Sequence, residues 1–210
     1  MVVKVMDRFC VALIGASFLL LTSCLSAPTS RSDRPVVALS TDLGFVVLEL
    51  DARRAPITTC NFLRYVQAGR YTGGSFFRTV VAETNDSSNP IDVIQAATAA
   101  GSDDPGFGPI PLERSRDTGL RHVAGAISMA RDGADTATSS FFIVVKDAPS
   151  LDFGGGRNAD GQGFAVFGRV ISGMDIVEDI HGSPATDEQL ETPIAIAATL
   201  AGEAPQACGS

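Results

Sequence analysis

The chain has 210 residues, with 16 Lys and Arg against 24 Asp and Glu and a net charge of −8. An acidic chain without a Lys/Arg cluster does not suit a phosphate backbone, so no nucleic-acid partner is expected. Four cysteines are too few for a disulfide scaffold, and 45% apolar residues are ample for one packed core.

The chain opens with MVVKVMDR, a short and weakly basic leader, followed by the apolar run Phe9 to Leu21. Those thirteen residues fall short of the about 20 that span a bilayer, so the segment reads as a secretory signal. It ends in Leu21-Thr22-Ser23-Cys24, which resembles the bacterial lipobox, where the cysteine is acylated and becomes the new N-terminus. The alternative is an ordinary secreted protein cut after Ala27, which would put Pro28 unfavourably next to the cleavage site; a start at Met6 is also open. The reading adopted makes residues 1–23 the signal peptide, Cys24 the lipidation site and residues 24–35 a polar tether. Removing Lys4, Asp7 and Arg8 with the signal brings the charge to −9. The expected location is the cell envelope, facing the periplasm and held to the membrane through lipid on Cys24. Leu25, rather than an aspartate, follows the cysteine and favours the outer membrane.

One domain is expected over residues 36–200, followed by a flexible tail over 201–210. VVALSTDLGFVVLEL is two apolar runs around Thr41-Asp42-Leu43-Gly44, a hairpin. APITTCNFLRYVQAGR starts with a proline suited to a first helical turn and stops at Gly69, with Phe62, Leu63, Tyr65 and Val66 on its core side. GGSFFRTVV returns to strand, and alternation puts Phe76, Arg78 and Val80 on one face. Arg78 is the odd residue there, because a guanidinium keeps its charge and is costly to bury unpaired. The simplest reading is an edge-strand arginine whose stem covers apolar surface. IDVIQAA, HVAGAISMAR, SSFFIVVK and FAVFGRVI are further strands, SGMDIVEDIHG a short helix and PIAIAATL a last strand. About eight strands with two separated helices predict a closed antiparallel barrel rather than a βαβ sheet.

Several chemistries have no signal. The two histidines, His122 and His181, sit in no nucleophile pattern; His181 reads as a helix C-terminal cation. There is no G-x-S-x-G elbow, phosphate loop or dinucleotide fingerprint. No metal, cofactor or covalent intermediate is therefore expected. Cys60 and Cys208 fit no metal-ligand spacing; a bridge between them is permitted outside the cytosol, but sequence does not bring them together.

Four segments in order, FFRTV, VIQAA, ISMAR with SSFFIVV, and FAVFGRVISGMDIVEDI, resemble the cyclophilins, which are peptidyl-prolyl cis-trans isomerases. With the opening hairpin and first helix, the resemblance covers nearly all of residues 36–200. It implies an eight-stranded antiparallel barrel capped by two helices, acting on Pro-containing polypeptides as a monomer. It also gives Arg78 another meaning, as the family's catalytic arginine, with Gln95 beside it to orient it or the substrate carbonyl. Val93, Met129, Phe142, Leu151 and Phe164 become walls of a proline groove, and Ala130 and Arg131 fall where the family binds substrate backbone. Departures from the family pattern are Gln95-Ala96-Ala97 for Gln-Gly-Gly, Asp92 for an aromatic wall, Ser150 where tryptophan is common, Phe164 for a histidine and Ser140 for a glutamine. Asp92 and Gln95-Ala96-Ala97 keep open a catalytically weak module that binds Pro-containing segments; a third reading, an unrelated envelope barrel, would require the Arg78–Gln95–Phe142 register to be coincidence.

Overall fold

The computed structural model describes residues 33–102 and 104–208. The signal segment and Cys24 lie outside the described residues. The elements run β1 (Val36–Thr41), β2 (Gly44–Leu50), α1 (Pro56–Gln67), β3 (Gly74–Val80), β4 (Val93–Ala97), α2 (Ser115–Thr118), β5 (Ala126–Met129), β6 (Phe141–Val144), β7 (Ala165–Ser172), α3 (Met174–His181), β8 (Ala185–Thr186) and β9 (Gln189–Ala201). Spatial order is β1-β2-β7-β5-β6-β4-β3-β9, and β1 pairs with β9 to close the ring. Every pairing in that ring is antiparallel. This is the mainly-β, eight-stranded barrel expected; β8 is a two-residue appendage forming a hairpin with β9, and α2 is a single additional turn.

Closure follows from the pattern of side chains. Val37 and Leu39 of β1 and Val46, Leu48 and Leu50 of β2 alternate inward and are fully buried. Thr41 tightens the turn between them, its Oγ1 accepting from the N–H groups of Leu43 and Gly44. Helix α1 seals one end of the barrel through Phe62, whose ring lies 5.2–5.3 Å from those of Tyr71, Phe141 and Phe167. Its first turn has no local side-chain cap. Glu113, from a distant loop, accepts the N–H groups of Ile57 and Thr58 at 3.1 and 2.8 Å, placing a carboxylate at the positive end of the helix. Helix α3 buries Val177 and Ile180 and packs against β2, β3 and β4.

In the segment expected to be a flexible tail, Ala204 and Cys208 pack against the core, and Cys208 is disulfide-bonded to Cys60 on α1, with 4.9 Å between the Cα atoms. One expectation is corrected: strict alternation fails in β3. Phe76 is opposite Ala96 and Arg78 opposite Gln95, so Phe77 is an extra residue in a β-bulge. Phe76 is fully buried in the core, whereas Arg78 is part exposed on the outside. The two do not share a face.

Candidate active site

The bulge aims Arg78 into a cleft of about 600 Å³ on the barrel's outer surface. Register places Arg78 opposite Gln95, Gln95 opposite Phe142 and Phe142 opposite Ser128, a row across β3, β4, β6 and β5. Cross-strand partners project to the same side of a sheet, so residues far apart in sequence converge. Arg78 Nη1 donates to Gln95 Oε1 at 2.9 Å, and Gln95 Nε2 donates to Ser140 Oγ at 3.0 Å. Ser140 in turn donates to the carbonyl of Ala96 at 2.9 Å. The serine that replaces a family glutamine thus fixes the amide of Gln95. Ala96 and Ala97 occupy ordinary strand backbone without positive φ, so no glycine is needed there.

Gln95, Val93, Ala130, Arg131, Phe142, Leu151 and Phe164 all line this cleft with Arg78. Met129 does not; it is 1% exposed and faces the core. Phe142 meets Phe164 edge-on, with centroids 5.6 Å apart, and forms the apolar seat. Arg131 is used differently from a substrate-facing side chain. Its side chain is 1% exposed, with the guanidinium bonded to both oxygens of Asp160 at 2.7 and 2.9 Å and to the carbonyl of Gly163. It pins the loop before Phe164, and Arg131 holds the Asp160 carboxyl down at about 2. The substitution at Asp92 has no bearing on the walls: its carboxylate is buried against Lys146, His181 and the N–H of Ala82. Ile91 and Val93, its neighbours, line the cleft instead.

Sequence reasoning missed four contributors. Phe77 lines the cleft because of the bulge. Glu188, in the β8–β9 turn, accepts from both Nε and Nη2 of Arg78 and also from Asn85. Arg157 lines the cleft and donates to Asn85 Oδ1 at 2.9 Å. Burial lowers its pKa, Arg78 pushes the same way, and Glu188 opposes both. No local motif marks any of these: Phe77 depends on the register of β3, and Glu188 and Arg157 on loops folding back over the barrel.

The fourth is His122, which the sequence left without a partner. Its Nδ1 lies 2.8 Å from Asp152 Oδ1 and its Nε2 lies 3.0 Å from Ser128 Oγ. Burial pushes the imidazole below its usual range, more than the hydrogen bond and charge of Asp152 pull it back. Burial opposes ionisation of Asp152 too, but hydrogen bonds from His122 and Arg121 outweigh it and hold that carboxyl low. The pair is therefore neutral imidazole against carboxylate, with Nδ1–H donating and Nε2 accepting from the serine. The residue types are those of a hydrolytic triad, yet Ser128 is fully buried and cannot meet a substrate. The trio does not line the cleft but backs its wall from inside: the imidazole stacks 6.0 Å from the ring of Phe142, and Asp152 adjoins Leu151.

Comparison with known proteins agrees with this geometry. The profile of the family described as cyclophilin type peptidyl-prolyl cis-trans isomerase/CLD matches residues 36–200. Peptidyl-prolyl cis-trans isomerase A of Dickeya dadantii is 38% identical over 146 residues, covering 69% of this chain and 70% of that one. An isomerase of Streptomyces antibioticus is 38% identical over 149 residues, covering 70% and 82%. A solved cyclophilin-type isomerase of Cryptosporidium parvum superposes with a TM-score of 0.65 at 21% identity, over 81% of this chain and 99% of that one, a likeness of fold. A barrel of this order, a cleft built on Arg78, Gln95 and Phe142, and a profile match over the whole barrel lead to one conclusion: the chain belongs to the cyclophilin-type peptidyl-prolyl cis-trans isomerase family.

Proposed function

We propose that this protein is a lipid-anchored prolyl isomerase of the cell envelope, rotating X–Pro bonds in exported polypeptides. The observation that carries the reading is the row Arg78–Gln95–Phe142, which sets a forked cation beside an apolar seat. Amide resonance holds the X–Pro bond behind a barrier of ~18–20 kcal/mol. A donor reaching the substrate beside the proline weakens that resonance as the bond twists. Its hydrogen bond strengthens in the twisted state and so lowers the barrier. Arg78 has five N–H groups, of which three are engaged by Gln95 and Glu188. Two remain for the substrate, already oriented.

Turnover rather than binding alone is favoured by Asp92, which points away from the cleft, and by Ala96-Ala97, which leaves the strand regular. The solved Cryptosporidium parvum relative was also crystallised in the presence of the dipeptide Ala-Pro, which agrees with a Pro-containing substrate. The lipobox-like Leu21–Cys24 and a disulfide suited to an oxidising compartment favour export, with the anchor facing the periplasm and the outer membrane preferred; the proposed unit is a monomer.

The test is isomerisation of a short X–Pro peptide by the detergent-solubilised full-length protein beside Arg78→Ala. The variant should lose about 100- to 1,000-fold in kcat/KM, as when one transition-state donor is removed. Arg78 is part exposed, so the fold should survive. An undiminished rate in a folded variant would remove Arg78 from the mechanism. Cys24→Ser should release the protein from membranes; continued sedimentation with them would defeat the anchor.

A further inference from the structure

We infer that Glu188 is a positioning residue for catalysis, the clamp that fixes the plane of the Arg78 guanidinium; this rests on Arg78 being the catalytic donor. The turn that carries Glu188 is the first observation. Thr186 pairs with Gln189, so Asp187 and Glu188 form a two-residue hairpin loop, with φ of 50° and 64°. Positive φ at both central positions is the type I′ requirement, for which Asn-Gly is the favoured pair. Only one other described non-glycine residue, Asp135, has positive φ. A glutamate at the second position is therefore a poor choice for the turn itself, and strain of this kind points to a role for the side chain.

The contacts say what that role is. Glu188 Oε2 accepts from both Nε and Nη2 of Arg78, while Oε1 accepts from Asn85 Nδ2. The carbonyl of Glu188 also accepts the N–H of Thr79, at 2.9 Å, next to Arg78 in β3. The hairpin is thus fastened to the bulged strand through both main chain and side chain. Gln95 by itself holds one guanidinium nitrogen and would leave the group free to swing about that point. Two further contacts on the opposite edge define the plane and leave one N–H on Nη1 and one on Nη2 for the substrate. Asn85 is in turn bonded to Arg157, so the clamp is braced on the loop across the cleft. Arginine carries four side-chain torsions, and holding them before the substrate arrives removes an ordering cost from the reaction.

Glycine at 188 relieves the turn and removes the clamp, which separates stability from activity. Glu188→Gly should keep or raise the melting temperature while lowering kcat about tenfold. Glu188→Gln keeps an acceptor oxygen without the charge and should stay within about threefold of the parent rate. In an Arg78→Ala background, Glu188→Gly should change the residual rate little, since the clamp has nothing to hold. An unchanged kcat in Glu188→Gly, or an equal loss in both backgrounds, would overturn the assignment. A Glu188→Gln protein faster than the parent would do the same, because the carboxylate would then be weakening the donor rather than placing it. Loss of the Arg78 reading would show separately, as an Arg78→Ala protein with the parent rate.

Discussion

Opening the Cys60–Cys208 bridge perturbs stability without touching the cleft. The bond spans 148 residues, nearly the whole barrel. In the chain-entropy account a loop of that length restricts the unfolded chain by about 5 kcal/mol at 25 °C. For a domain of this size each kcal/mol moves the midpoint by about 2–4 °C, so reduction should lower the melting temperature by about 10–20 °C. The native barrel loses little, since closure comes from β1 pairing with β9 and not from the tail. Cys60 lies on α1, and neither α1 nor the turn bearing Cys208 lines the cleft. The reduced protein should therefore isomerise an X–Pro peptide at the oxidised rate at 25 °C. The assay is thermal unfolding with and without dithiothreitol, alongside Cys60→Ala/Cys208→Ala as a reductant-independent control. A shift below about 3 °C in both would refute the entropic argument.

Two further outcomes test the wall of the cleft and the buried histidine behind it. Phe142→Ala removes a ring that is 5% exposed; it should cost about 3 kcal/mol in urea unfolding and raise KM about tenfold with less change in kcat. An unchanged KM would remove Phe142 from the proline seat. Burial holds His122 below its ordinary 6.5, so the unfolded chain takes up a proton that the native state refuses. Its contribution is complete above pH 6.5 and is lost as pH falls from there toward the native pKa. Thermal midpoints should fall between pH 7 and 5, and His122→Gln should flatten that arm; an equally steep fall in the variant would place the titration elsewhere.

Much was legible in the chain itself. Period-two alternation and turn residues are local, and they located the opening hairpin, the strands and both capping helices. Arg78, Gln95 and Phe142 were legible through a resemblance carried by short, ordered segments. The departures were harder to weigh. Asp92 stands between two cleft residues in sequence, yet strand geometry turns it the other way, toward Lys146 and His181.

What the sequence by itself determined is the set of eight barrel strands and the two longer helices, because each is specified by neighbours within a few residues. Tertiary structure decided which elements touch. The bulge at Phe77 depends on the register of β3 against two partner strands, and it alone separates Phe76 from Arg78. The pairing of Cys60 with Cys208, the contact of Glu188 with Arg78 and the contact of His122 with Asp152 join residues 148, 110 and 30 positions apart. Such contacts leave no periodic trace, because they are set only when the barrel closes and its loops fold back over one face.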